Sequence, residues 1–253
     1  MNISVIRPNY LDKFNFDDED FFLVVDTFRA TTTLAVLANL GAKKIYVVND
    51  QHDAKHVQEE LCSNCLLIGE ERGIKISGFD YGNSPSSILR ERIQNKSVIF
   101  TSSNGAKTLI QLRNMKNVYL GALVNLSSIS EFVGKLASKE KKNIIIVPAG
   151  HNNNSDEFIV EDWITSVLIT KKILEMESFK IVKQDEFWNK SLKILDQRAN
   201  LEHLLVNSTN GRYLTKLGFE NDIIFSISID KMNNFLKVKE WLKLGNSDCV
   251  VLE

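Results

Sequence analysis

This chain lacks an excess of charge of either sign. Its 31 lysines and arginines are balanced by 32 aspartates and glutamates, a net charge of −1 over 253 residues. Without a basic surplus, bulk electrostatics draws it to neither nucleic acid nor an anionic membrane surface, and an anion must be met by a local site. No apolar run approaches the length that crosses a bilayer, and residues 1–8 read as a short strand rather than a signal peptide, so the default is a cytoplasmic protein. Cysteine is scarce as well: three residues, an odd number, make no disulfide framework. Linkers, low-complexity tracts and internal repeats are all missing. With 43% hydrophobic and 25% charged residues, one folded domain over residues 1–253 is expected.

Two of the cysteines, Cys62 and Cys65, form a C-x-x-C downstream of His52 and His56. That spacing supplies four candidate zinc ligands. Both histidines fall on a polar helix face, however, and Cys65 runs into a strand at residues 66–68, so core or surface thiols are the expectation.

What the chain does have is concentrated in residues 21–33. Five apolar residues, Phe21, Phe22, Leu23, Val24 and Val25, read as a strand buried on both faces. The strand ends on Asp26, Arg29 follows three residues later, then Thr31, Thr32 and Thr33, and then a helix closed by Gly41. A carboxylate, a guanidinium and hydroxyls thus share a strand-to-helix turn, where α/β proteins bind ligands. Two structural readings stay open: the threonines as helix caps, and Asp26 as a partner for Arg29.

Further strands are expected at residues 3–6, 44–48, 97–101, 117–120 and 143–147, alternating with helices at 51–61, 85–92, 106–112, 126–137 and 161–176. Such alternation implies an α/β fold with a largely parallel sheet and helices on both faces. Helices are expected at residues 185–198 and 200–217, and a strand at 222–230. Residues 148–157, rich in asparagine and holding His151, form a candidate lid.

The strand ends collect polar groups: Asp26 and Arg29, Glu70, the turn Ser102-Ser103-Asn104-Gly105, Asn125, and Glu161 with Asp162. In a parallel sheet all of these would decorate one rim. The Ser102–Gly105 turn suits phosphate, and acidic groups without nearby histidine or cysteine suit a hard divalent cation. Fingerprints of other chemistries are absent: no G-x-S-x-G, no G-x-G-x-x-G, no Walker A, and no second aspartate two residues beyond Asp26.

Several blocks together resemble the 2-phosphosulfolactate phosphatase family. They are Val-Val-Asp26-Thr-Phe-Arg29-Ala-Thr-Thr-Thr, Gly69-Glu70 with Gly-Ile-Lys75-Ile-Ser-Gly-Phe-Asp-Tyr-Gly-Asn-Ser-Pro85, and Thr-Ser-Ser-Asn-Gly105-Ala-Lys107. Gly121-Ala-Leu-Val-Asn125, Pro148-Ala-Gly with Phe-Ile-Val-Glu161-Asp162, and Ser208-Thr-Asn-Gly-Arg-Tyr follow in order. The resemblance implies a three-layer α/β/α domain with a parallel or mixed sheet. It also implies a magnesium-dependent hydrolase releasing phosphate from (2R)-2-phospho-3-sulfolactate, on the route to coenzyme M. On this reading, Asp26, Arg29 and Glu161 are catalytic, with Glu161 as general base and Arg29 as an oxyanion clamp. Asp26, Glu70 and Asp162 hold Mg2+. Thr31, Thr32, Arg72, Lys75, Ser102, Ser103, Asn104, Gly105 and Asn125 bind a small anionic phosphorylated substrate, with Lys107 a further basic group at hand. Homo-oligomerisation is left open. Glu71 stands where the family usually has arginine, with Arg72 one place later, and Pro148 replaces a typical cysteine. A phosphatase for another small phospho-acid, and a silent homologue binding an anionic metabolite, remain the alternatives.

Overall fold

The alternation of strands and helices is present in a computed structural model, described over residues 1–150, 157–182, 186–196 and 200–253. The first half contains β1 (Asn2–Val5), β2 (Phe21–Val25), α1 (Ala30–Asn39), β3 (Lys44–Val48), α2 (Gln51–Leu61), β4 (Leu66–Glu71), β5 (Ile74–Lys75), α3 (Pro85–Ile88), β6 (Ser97–Thr101) and α4 (Gly105–Gln111). There follow β7 (Asn117–Gly121), α5 (Leu126–Glu140), β8 (Ile144–Pro148), α6 (Val160–Met176), β9 (Lys180–Ile181) and α7 (Glu186–Asp196). The chain ends with α8 (Leu201–Val206), α9 (Thr209–Lys216), α10 (Glu220–Ser226), β10 (Leu236–Leu244) and β11 (Ser247–Leu252).

The apolar run of β2 makes it a central strand, paired in parallel with β7 and β8. Its side chains alternate between two cores, as the period of two demands. Phe22 and Val24 join Leu34 and Leu37 of α1 and Leu109 of α4. Phe21, Leu23 and Val25 join Ile129 and Val133 of α5 and Trp163 of α6. A third core, under α2, covers the other side of β3, β4 and β6. Helices therefore lie on both faces of the sheet, the α/β/α layering expected.

Eleven strands run in the order β5-β4-β6-β3-β11-β10-β7-β2-β8-β1-β9. Two parallel groups, β4-β6-β3 and β7-β2-β8-β1-β9, are separated by the C-terminal hairpin β10–β11. The hairpin is antiparallel within itself, to β7 and to β3. Three antiparallel joints in succession leave the two groups running in opposite senses, so the single parallel rim is corrected. The ends of β2 and β6 nevertheless meet. Five strand-to-strand steps separate them, and at about 20–25° each the normal twist rotates one group by roughly 100–125° towards the other.

Other expectations change in the C-terminal third. Residues 222–230 are not a strand: Asp222, Ile223 and Ser226 lie on the buried face of α10, whose first turn carries Glu220 and Asp222. Acidic residues there complement the helix dipole, and helical contacts outweigh the alternating Ile-Ser-Ile-Ser pattern. The helix expected over residues 200–217 is broken into α8 and α9 at Ser208, whose side chain accepts from the Gly211 N–H at 2.9 Å. The hairpin was not foreseen, although its strands alternate around Gly245-Asn246. Cys62 and Cys65 are not free thiols but a disulfide across a turn with Cα atoms 5.3 Å apart. The proposed lid, with His151, falls largely outside the described residues. No helix among the described residues is long and apolar enough to cross a membrane.

Candidate active site

The β4–β5 connection is the tightest piece of the site. Glu71 pairs with Ile74, so Arg72 and Gly73 form a two-residue turn, both with positive φ (50° and 79°). Such turns suit the strand twist and demand left-handed residues, which glycine supplies freely and arginine does not. The Arg72 backbone is held from both sides: its N–H donates to Ser103 Oγ at 3.1 Å, and Tyr213 Oη donates to its carbonyl at 2.9 Å. Glu70 organises the same corner. Its carboxylate accepts from the Gly73 N–H at 2.5 Å, the Ser103 N–H at 2.7 Å and Ser103 Oγ at 3.1 Å.

Asp26 closes the opposite side. One carboxylate oxygen accepts from the Ala30 N–H at 3.2 Å, while the Thr31 hydroxyl donates to the Asp26 carbonyl at 2.9 Å. A side chain on Gly105 would sit 2.6 Å from Asp26 Oδ2, so only glycine lets α4 approach this close. Burial pushes the Asp26 carboxyl up to about 6; the Ala30 N–H opposes the rise and the charge of Glu70 adds to it.

Behind Asp26 lie the two carboxylates at the start of α6. Asp162 accepts from the Thr27 N–H at 2.8 Å and the Gly150 N–H at 3.1 Å, bracing the loops after β2 and β8. Glu161 accepts from Asn210 Nδ2 at 2.9 Å. Burial pushes Glu161 up to about 7, and burial with the charges of Asp26 and Glu161 pushes Asp162 well above the usual range. None of the three forms an ion pair with lysine or arginine among the described residues.

Arg29 faces elsewhere. Its Nη1 donates to Asp222 at 2.7 Å, its Nη2 to the Gly73 carbonyl at 2.7 Å, and its guanidinium lies 4.2 Å from the Phe219 ring centroid. Asp222, fully buried, also accepts from Ser84 Oγ at 2.8 Å, the Ser86 N–H at 3.1 Å and Ser86 Oγ at 2.5 Å. Helices α8 to α10 seat on Phe28, which brings Asp222 and Asn210 to the site.

These groups surround a cleft of about 770 Å3. Asp26, Arg29, Glu70, Arg72, Ser102, Ser103 and Asn104 line it, as does Lys107. Gly105 is packed against Asp26 beside it. Glu71 lines it too, so the departure from the family pattern lies in the site itself. Glu161 and Asp162 stand behind the lining, and among the described residues no three acidic, histidine or cysteine side chains are clustered to hold a metal. Thr31 and Thr32 donate to the Asp26 and Thr27 carbonyls, making helix-start contacts. Lys75 donates to the Phe79 carbonyl at 3.0 Å, and Asn125 Nδ2 to the Asn234 carbonyl at 3.0 Å, both away from the lining. Unassigned from the sequence were His52, Asn83 and Asn210, all in the lining. Asn83 and Asn210 sit inside blocks that carried the resemblance, which was the available signal.

A cleft where buried carboxylates meet exposed cations and a hydroxyl-bearing turn defines an α/β protein built to handle a small anion. A profile for 2-phosphosulpholactate phosphatase matches residues 7–240. The 2-phosphosulfolactate phosphatase of Methanocaldococcus jannaschii is 31% identical over 227 residues, 86% of this chain and 89% of that one. Probable 2-phosphosulfolactate phosphatases of Caldicellulosiruptor saccharolyticus and Caldanaerobacter subterraneus are 32% and 29% identical, covering 84% and 89% of this chain and 86% and 90% of theirs. The chain belongs to the 2-phosphosulpholactate phosphatase family, and is thereby a phosphoric monoester hydrolase.

Proposed function

We propose that this enzyme hydrolyses (2R)-2-phospho-3-sulfolactate to 3-sulfolactate and phosphate with magnesium, in a route of the coenzyme M type. The observation that carries the reading is the convergence of Asp26, Glu70 and the Ser102–Asn104 turn with Arg72 and Lys107 on one cleft, within a chain matched to the family over residues 7–240. The substrate joins phosphate, sulfonate and carboxylate, so it needs a site that offsets several negative charges locally.

The donor set fits magnesium. Asp26 and Glu70 are each buried and, among the described residues, neither forms an ion pair with lysine or arginine; magnesium asks for only one or two carboxylates beside water and phosphate oxygens. Asp26 and Glu70, both in the lining, would hold it; Asp162 serves from behind by fixing Thr27 and Gly150. A cation held there would supply Lewis acidity toward the phosphoryl group. Glu161 would serve as general base from behind the lining, where burial raises its carboxyl to about 7 and Asn210 Nδ2 donates to its Oε1. Arg72 and Lys107 offer cations to the substrate's acidic groups. Arg29 acts mainly as a brace, its two terminal nitrogens engaged by Asp222 and Gly73.

The deciding experiment measures phosphate release from a panel of small phospho-acids, with magnesium and with chelator, for the wild type and Asp26→Asn. Turnover of 2-phosphosulfolactate that chelator abolishes is expected, together with a folded variant that has lost most of it and needs more magnesium. An unaltered magnesium curve in Asp26→Asn would remove the ligand assignment. Preference for another phospho-acid would change the substrate.

A further inference from the structure

The two-residue turn at Arg72 and Gly73 is held on every side. All four of its backbone polar groups are engaged by side chains. The Arg72 N–H donates to Ser103 Oγ at 3.1 Å, and its carbonyl accepts from Tyr213 Oη at 2.9 Å. The Gly73 N–H donates to the Glu70 carboxylate at 2.5 Å, and its carbonyl accepts from Arg29 Nη2 at 2.7 Å. A hairpin tip at the surface can leave such groups to water, so this many side-chain partners fix an orientation that pairing of the strands alone does not need.

The peptide between Arg72 and Gly73 is the part that can turn over. Both residues have positive φ, 50° and 79°, the pattern of a type I′ turn. Flipping that peptide keeps φ positive at Arg72 and makes it negative at Gly73, which gives the type II′ turn that hairpins also accept. The flip would withdraw the Gly73 N–H from Glu70 and bring the Arg72 carbonyl oxygen towards the carboxylate. Glu70 holds one end of the peptide, and Tyr213 holds the other.

We infer that Tyr213 is a positioning residue for the cation site: through the Arg72–Gly73 peptide, its hydroxyl fixes the Glu70 carboxylate. Tyr213 lines the cleft from α9, and its ring lies 3.4 Å from the point where a Gly73 side chain would begin. Glu70 keeps a second backbone donor, the Ser103 N–H at 2.7 Å. Loss of the Gly73 N–H therefore re-aims the carboxylate rather than freeing it.

The role rests on Glu70 as a magnesium ligand, and the test separates the two. Tyr213→Phe removes only the hydroxyl, at a residue 43% exposed, and keeps the ring. In metal-free protein, amide hydrogen exchange would be followed at Gly73. The Gly69 N–H, bonded to the Tyr81 carbonyl at 3.1 Å, serves as the reference. In parallel, magnesium would be titrated in thermal melts and in phosphate release from 2-phosphosulfolactate. A single hydrogen bond is worth a factor of roughly three to ten, so exchange at Gly73 should quicken by that much while Gly69 is unchanged. The magnesium needed for half of the melting shift, and for half of full turnover, should rise by a similar factor. At saturating magnesium, kcat and KM should match the wild type. Unchanged exchange at Gly73, equal quickening at Gly69, or an unchanged magnesium requirement would each overturn the positioning role and leave the phosphatase standing. A KM raised at saturating magnesium would also overturn it, making Tyr213 a direct substrate contact. A wild type that magnesium neither stabilises nor activates would overturn the cation reading itself, and the role of Tyr213 with it.

Discussion

Two of the ion-pair networks among the described residues join stretches far apart in sequence, one in the cleft wall and one on the outside. In the wall, Arg29 and Asp222 are 2% and 1% exposed at their side chains and meet at 2.7 Å. On the outside, Lys142 bridges Asp17 at 2.7 Å and Glu19 at 2.9 Å, while Lys116 reaches Asp18 and Glu19 at 3.1 and 3.2 Å. Asp17 and Glu19 are held below their usual range first by hydrogen bonds from lysine, but water and salt compete for every contact. No water competes in the wall, so each oxygen of Asp222 has a fixed donor. The same kind of bond pins a loop loosely in one place and sets the geometry of a site in the other.

Asp222→Ala should have the largest effect. It leaves the Arg29 charge buried and frees Ser84 and Ser86, costing about 3–5 kcal/mol of stability. Denaturant unfolding measures this; a loss below about 1 kcal/mol would mean that water already reaches Arg29. Arg29→Lys is milder. It keeps the charge but loses the second arm to Gly73 and the flat contact with Phe219, so a loss of about 1.5–3 kcal/mol is expected. Its kinetics separate brace from clamp: a KM raised tenfold or more would restore Arg29 as a direct oxyanion ligand.

Glu161→Gln tests burial through pH. The folded state holds the Glu161 proton up to about 7, whereas the unfolded chain releases it near 4.5. The folded form thus binds more protons in between, and this contribution to stability, full below the unfolded value, is lost as pH rises through 7. In metal-free protein, the melting temperature should fall less between pH 5 and 8 in the variant than in the wild type; parallel curves would remove the shift. Asp17→Asn should do least, leaving the melting temperature at high salt within error of wild type. A clear drop there would place the outer network on a level with the inner one.

Local chemistry was the legible part. The run at residues 21–25, Asp26 at its end, the glycine after α1, and Ser84-Pro85 opening α3 are each set by near neighbours, and each stands where the pattern put it. The meeting of Glu70, Ser103 and Asp26 on one cleft was legible only as a convergence of strand ends. Its geometry was not, because the reversal of sense between the two parallel groups depends on the distant hairpin β10–β11. Asp222 was hidden for a related reason: its partners at Arg29 and Ser84 lie 193 and 138 residues away, and no local period reports such a contact. Glu161 and Asp162 were placed on the right helix, but their depth behind the lining depends on how α9 packs over Phe28.

The hairpin also orders events during synthesis. Strands β3 and β7 form their parallel pairs with segments made early, yet each has one side filled only by β11 or β10. While the ribosome is still adding residues 200–235, both strands present unpaired backbone N–H and carbonyl groups, a template for another nascent chain. The hairpin is thus the segment that seals the middle of the sheet, and β3 and β7 are open to mispairing until residues 236–252 have been made.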